Sequence, residues 1–361
     1  MKRVVFAISS LHGGGAERVV SVWASALAER GYNVSVLVYS RLKDEYPVSD
    51  KVKIYPIASS ATECNDISIF ERLKRFRKAL KELKPNVVIS FLPIVQIYVA
   101  LASLGLRIPR VETIRINPWR AEILKSGYSK LWLWCFESGK ALILQSEDQK
   151  DFFKKAVQKK AVVIPNPINH KYIDNGKPSY NSKSHNIVAA GRLTEQKNYT
   201  MMIDAIKIVA QEYNDILLEI YGSGNLEDDL RRYITKQELQ NNVKLMGRSN
   251  ELYNVYKNAD MYLMSSDYEG MPNALAEAMA CGLPCISTDC KTGPRDLIDD
   301  GESGFLVECG DVTGLARKIK SVFSMSDDEL MIIGQRARKK VIDLCGETNS
   351  LNKLIALIES V

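Results

Sequence analysis

Short apolar runs alternate with amphipathic helical stretches along nearly the whole chain, and no other feature constrains the fold as much. In the first half the runs fall at 4–8, 34–39, 87–91, 141–145 and 161–164. In the second half they fall at 187–190, 217–221, 243–246, 261–264, 284–287 and 305–307. Runs this short, apolar on both faces and separated by helix-length segments, are the pattern of parallel strands joined by crossover helices. The segment IPNPINHKYIDNGKPSYNSKSHN between the halves is polar and rich in Pro, Asn, Ser and Gly, a linker composition. The expected fold is therefore α/β, with two Rossmann-like domains whose parallel sheets face a cleft at their carboxyl ends. The boundaries are expected at 1–167 and 168–344, with a C-terminal helix near 345–361 free to pack back on the first domain.

With 361 residues there is room for two domains, each with a full core. The opening MKRVVFAISS is too short in its apolar part for a signal peptide and reads as a first strand. No stretch is long enough to span a membrane. Seven cysteines at 64, 135, 281, 285, 290, 309 and 345 have no framework spacing, so reduced cytosolic thiols are expected. Three histidines (His12, His170, His185) and no Asp-x-Asp run argue against a dedicated catalytic metal or other cofactor. Charge is divided unevenly. Residues 1–165 hold 27 Lys+Arg against 15 Asp+Glu, a net of +12, while the remainder nets −6. Such asymmetry points to an anionic partner for the first half.

The run SSDYEGMPNALAEAMACGLPCIST at 265–288 holds the strongest chemical signal. Glu269 precedes a helix opened by Pro272 and Asn273, and Glu277 lies about one turn inside it. A helix start attracts an anion such as phosphate, and a carboxylate accepts from sugar hydroxyls. Together they suggest a pocket for a phosphate-linked sugar. After the strand at 187–190 comes Gly191-Arg192-Leu193-Thr194-Glu195-Gln196-Lys197-Asn198. Arg192 and Lys197 leave one strand end and can neutralise a diphosphate where no metal does. After the first strand, Gly13-Gly14-Gly15-Ala16-Glu17 is either a tight turn or a loop that brings backbone amides to a phosphate. Gly222-Ser223-Gly224 reads as turn chemistry.

These motifs, in this order, resemble the retaining glycosyltransferases of family 4, which have the two-domain GT-B fold. The resemblance rests on Gly14-Gly15-Ala16-Glu17, Ile164-Pro165-Asn166-Pro167, Gly191-Arg192 through Lys197-Asn198, and Glu269 and Glu277 around Gly270-Met271-Pro272. It implies that Arg192 and Lys197 bind the donor diphosphate, Glu277 the ribose and Glu269 a hydroxyl of the donor sugar. Gly270, Met271, Pro272, Asn273 and Ala274 would line the sugar and phosphate. Gly14 and Gly15 would approach the diphosphate, and the segment around Arg248 would read the base, which favours UDP. Where many members carry a histidine in the first domain, this chain has Arg115-Ile116-Asn117-Pro118. Arg115 is a candidate for an acceptor phosphate or the donor sugar, with a surface arginine as the plain alternative. Glu17 faces the acceptor or caps its helix.

The acceptor is read from charge. Trp119, Trp132 and Trp134 lie beside Lys125, Tyr128 and Lys130, and the helix at 71–84 carries seven cations. Aromatics beside cations suit a lipid–water interface, though the same tryptophans could be core. The expectation is a lipid-diphosphate-linked glycan as acceptor, at the inner face of the cytoplasmic membrane and bound peripherally to its anionic surface. Two rivals are a sugar-nucleotide epimerase on the same architecture and a nucleic-acid-binding protein using the basic half. The histidines are poorly placed for the first, and no groove-reading motif supports the second.

Overall fold

The computed structural model describes residues 2–174 and 184–361; the linker positions 175–183 lie outside the described residues. The chain divides into two compact units, one of Met1–Pro167 with Thr348–Val361 and one of Ile168–Glu347.

The first unit holds a seven-stranded parallel sheet: β1 (Arg3–Ala7), β2 (Asn33–Val38), β3 (Lys53–Pro56), β4 (Val87–Ser90), β5 (Arg110–Thr113), β6 (Ala141–Leu144) and β7 (Ala161–Val163), in the order β3-β2-β1-β4-β5-β6-β7. Alternation along β1 sends Val4 and Phe6 to one face and Val5 and Ala7 to the other, and both faces are buried. The helix Gly15–Glu29 covers the first face with Val19, Val20, Trp23, Ala24 and Leu27, the spacing of a single helical stripe.

β3 and β5 have no counterpart among the apolar runs. β3 is an edge strand with half-exposed residues. β5 reads Arg-Val-Glu-Thr and is fully buried. Its Arg110 Nη1 donates to Glu112 Oε1 at 2.9 Å, and Ser90 Oγ donates to the same carboxylate. Burial pushes the Glu112 carboxyl up to about 7, against the pull of Arg110.

The C-terminal helix Glu347–Ser360 supplies Leu351, Leu354, Leu357 and Ile358 to the cluster that contains Val4, Phe6 and Trp23. Trp23 Nε1 donates to Ser350 Oγ at 3.1 Å, and Ser350 Oγ donates to the carbonyl of Pro165 at 3.2 Å. The first unit thus takes core residues from both ends of the chain.

The second unit holds β8 (Asn186–Ala190), β9 (Leu217–Tyr221), β10 (Val243–Gly247), β11 (Met261–Met264), β12 (Cys285–Thr288) and β13 (Phe305–Val307), all parallel, in the order β10-β9-β8-β11-β12-β13. On β8, Ile187 and Ala189 face the helices Tyr199–Val209 and Val312–Phe323, while Val188 and Ala190 face Asn273–Ala280 and Asp327–Cys345. The strand order reverses between β8 and β11, and in such sheets ligands bind where it reverses, beyond the carboxyl ends.

Leu354 is fully buried in the first unit's core. Leu354→Ala should cost about 2–5 kcal/mol of stability by cavity formation, read as a lower urea midpoint for the first unit.

Candidate functional site

The two donor motifs leave β8 and β11, the strands that flank the reversal point of the second sheet. Lys197 Nζ and Glu269 Oε1 form an ion pair at 2.6 Å, with side chains only 16% and 7% exposed. Glu269 also accepts from Ser266 Oγ at 2.7 Å and from Gln196 Nε2 at 3.4 Å. The acid is therefore an interior group held by three partners.

The loops around that pair are stitched together. Gln196 Nε2 donates to the Tyr268 carbonyl, Asp267 N to the Gln196 carbonyl, and Ser265 Oγ to the carbonyls of Lys197 and Asn198, all within 2.8–2.9 Å. Asn198 adopts φ +44° and caps the next helix by accepting from Met201 N. Arg192 stays exposed on the same loop and takes no part in the pair.

Three neighbouring loops brace this arrangement. A Cβ on Gly222 would run into the carbonyl of Gly191, and one on Gly224 into the backbone of Leu193, so both glycines serve a close backbone approach. Arg248 Nε donates to Ser223 Oγ at 2.6 Å, which ties the base-reading candidate to the same turn. On the far side, Thr292 is buried at φ +71° and its hydroxyl donates to the Glu269 carbonyl. Strained backbone of this kind persists where surrounding structure holds it, and it gathers at functional sites. Gly293 lets the backbone pass against Gly270, Met271 and Pro272. Sequence reasoning missed Thr292 and Gly293. The signal available was Thr-Gly-Pro a few residues after the apolar run at 284–287.

The helix Asn273–Ala280 starts after Pro272 without a side-chain cap. Its positive end faces the loop that carries Glu269, Gly270 and Met271, and Ala274 sits in its first turn. Glu277 is buried at 4% exposure on the same helix. Burial, then the Tyr262 phenol and the Glu277 charge, hold the Tyr256 hydroxyl well above its ordinary range. Cys281 and Cys285 are buried with their thiols pushed up, chiefly by burial. Among the described residues, no three His, Cys, Asp or Glu side chains form a group that could hold a metal ion.

In the first unit, Gly14 and Gly15 open the helix after β1, and Glu17 folds back over Gly14 with its carboxylate accepting its own backbone N–H. Arg115 is no surface arginine. Its guanidinium carbon lies 4.6 Å from the ring centre of Trp23 and 5.5 Å from that of Phe91. Its Nη1 donates to Asn166 Oδ1 at 2.9 Å. The tryptophan segment does not form one outward face. Trp132 is core, with its indole N–H donating to buried Gln96 at 2.6 Å. Trp119 packs edge-on against Phe152, and Trp134 lies under Arg110. The basic helix is likewise only partly free. Arg75 bonds Glu71, Glu63 and the Ile57 carbonyl, and Arg77 bonds the carbonyls of Ala102 and Leu104. Arg72 turns toward the rings of Tyr39 and Tyr98. Lys74, Lys78, Lys81 and Lys84 remain exposed, beside Phe70 at 84% exposure. Among the described residues no helix is long and apolar enough to cross a membrane.

Residues 13–172 match the family model "Glycosyltransferase Family 4", and residues 173–340 match "Glycosyl transferases group 1". An uncharacterized glycosyltransferase of Haemophilus influenzae is 25% identical over 95% of this chain and 98% of its own length. A Campylobacter jejuni alpha-1,4-N-acetyl-D-galactosaminyltransferase, named for an undecaprenol-diphosphate-linked glycan, is 28% identical over 90% of this chain and 89% of its own. Among solved structures, Anabaena HepE in complex with UDP and glucose superimposes over 100% of both chains with a TM-score of 0.81 at 18% identity. That likeness establishes the shared GT-B fold.

The ion pair and its bracing generate a coupling prediction. Lys197→Met and Glu269→Gln should each destabilise the second unit, yet the double variant should fall short of their sum by about 1–3 kcal/mol. Chemical unfolding of the four proteins checks this, and additive effects would mean that the two side chains do not interact.

Proposed function

We propose that this chain, which belongs to the glycosyltransferases through its family 4 first half and group 1 second half, moves a sugar from a nucleotide diphosphate, UDP favoured, to a lipid-diphosphate-linked glycan. The observation that carries the reading is the Lys197–Glu269 pair at the β8/β11 reversal point, beside the start of the helix Asn273–Ala280. There an ammonium, a carboxylate and a helix's positive end meet within one interior site.

In this reading Lys197 and exposed Arg192 take the charge that develops on the departing diphosphate, and amides at the helix start add to it. Glu269 accepts from a hydroxyl of the donor sugar and holds Lys197 in place before substrate arrives. Glu277 accepts from the ribose hydroxyls. The bond between the anomeric carbon and the diphosphate oxygen breaks, and the acceptor oxygen bonds to the same face of that carbon. The departing phosphate oxygen takes the acceptor's proton, so configuration is retained without a covalent enzyme intermediate. The cations supply the neutralisation that a metal provides elsewhere, and the reaction is read as metal-independent. The C. jejuni relative's name and the first half's charge of +12 support a lipid-diphosphate acceptor used at the inner face of the cytoplasmic membrane.

Incubation with a panel of UDP- and GDP-sugars, scoring hydrolysis and transfer to a lipid-diphosphate acceptor, tests the activity. Arg192→Ala and Lys197→Ala should each slow transfer by about a hundredfold, and wild-type rates in both would remove the assignment. Transfer should survive excess chelator; loss on chelation with rescue by magnesium or manganese would overturn the metal-free mechanism. Glu277→Gln should weaken UDP itself by about tenfold in calorimetry.

Membrane binding should depend on the exposed lysines. Replacing Lys74, Lys78 and Lys81 should loosen flotation with anionic vesicles by about 1 kcal/mol per charge at low salt, a difference that added salt removes. The same exchange at Arg75 or Arg77 should instead lower stability.

A further inference from the structure

Orphaned polar atoms gather at the carboxyl ends of β5 and β6. Arg115 Nε and Nη2, Gln145 Oε1 and Ser146 Oγ are all buried and make no hydrogen bond among the described residues. Buried polar groups are ordinarily satisfied, so such a concentration calls for a missing partner. β5 and β6 pair at Thr113 and Ile143, and Ile114 N donates to the Ile143 carbonyl. Two residues further, Arg115 and Gln145 stand side by side on the face that carries Val111 and Ile143. Ser146 falls on the opposite face, away from this pair.

Both side chains are fixed from behind. Arg115 Nη1 is tied to Asn166 Oδ1 and the Ile164 carbonyl, and the guanidinium is stacked over Trp23. Gln145 N donates to Gln149 Oε1 at 2.8 Å, and Gln149 Nε2 donates to the Ile116 carbonyl at 3.1 Å. What stays unpaired is the buried Nε/Nη2 edge, two parallel N–H donors in the geometry that grips an oxyanion. No carboxylate pairs with this guanidinium among the described residues. Burial draws it down to about 9, the direction expected of a cation lacking its counter-charge.

We propose that the Nε/Nη2 edge of Arg115 is an oxyanion subsite, and that Gln145 Oε1 beside it accepts from a hydroxyl of the sugar carrying that oxyanion. This rests on the reading of the first unit as the acceptor side, and it gives the acceptor a chemical class. A sugar of that acceptor bears a phosphate or a carboxylate. The first would be the glycosyl phosphate of a lipid diphosphate, the second a uronic acid.

The full-length protein is titrated with glucose 1-phosphate, glucuronate and inorganic phosphate, reading tryptophan fluorescence and thermal stability, with circular dichroism as a check on folding. Wild type should bind one of the two sugar oxyanions more tightly than inorganic phosphate, and which one it prefers identifies the source. Arg115→Lys keeps the charge but loses the fork, and should weaken that binding by about tenfold or more. Gln145→Leu should weaken the sugar oxyanion alone and leave inorganic phosphate unaffected. It decides the matter should Arg115→Lys fail to fold. No binding by wild type, equal binding by both variants, or a loss that follows Lys197→Ala instead would overturn the subsite. UDP titration of the same preparations separates the two readings. Absence of UDP binding beside intact, Arg115-dependent oxyanion binding would sink the transferase reading and leave the subsite standing.

Discussion

The second unit's candidate site is organised around one ion pair placed where the loops of two neighbouring parallel strands leave the sheet. Lys197 and Glu269 lie 72 residues apart in sequence and meet at 2.6 Å because β8 and β11 are sheet neighbours whose loops leave at the same end. Neither charge is well solvated, so each needs the other until a ligand comes. A diphosphate could share the ammonium, which has three donors, and a sugar hydroxyl could share the carboxylate, which accepts several. In the proposed reading the resting pair would hold both groups in position for the charges and hydroxyls of a nucleotide sugar. The glycines at 191, 222, 224 and 293 and the strained Thr292 are consequences of the same requirement, since three loops must pass almost in contact to hold it.

The first unit follows a different logic. Its interior also contains charge, with Arg110 on Glu112 in β5 and Arg115 over Trp23 beyond its end. The first of these is neutralised locally. The second has no carboxylate partner among the described residues, and its unpaired edge is what the proposed anionic acceptor would complete. The indole that stacks under Arg115 is itself held by Ser350, on the C-terminal helix. The last residues of the chain thus take part in positioning a group near its first third.

The strands β8, β11, β12 and β13 of the second sheet were legible as short, largely buried apolar runs, and β9 and β10 as runs interrupted only by Glu219 and Lys244. β5 was not, because Arg-Val-Glu-Thr carries a buried ion pair that a hydropathy pattern scores as surface. β3 was missed because an edge strand needs only one buried side. Arg192, Lys197, Glu269 and Glu277 could be singled out by residue type and by their place after strands and at a helix start. Their pairing could not, since it depends on sheet order. The tryptophans misled for a related reason: composition cannot distinguish an indole at an interface from Trp132, whose N–H is satisfied inside by Gln96. Nor can a count of cations tell the exposed lysines of the helix Ile69–Leu83, two of them in loose i,i+3 and i,i+4 ion pairs, from arginines already committed to backbone carbonyls.

The central claim is that Lys197 passes from Glu269 to a nucleotide's diphosphate. Calorimetry with uridine, UMP and UDP on wild type and Lys197→Ala tests it most directly. The account predicts that UDP binds wild type more tightly than uridine does, by a margin that largely disappears in Lys197→Ala while uridine affinity holds. An unchanged margin in the variant would contradict it.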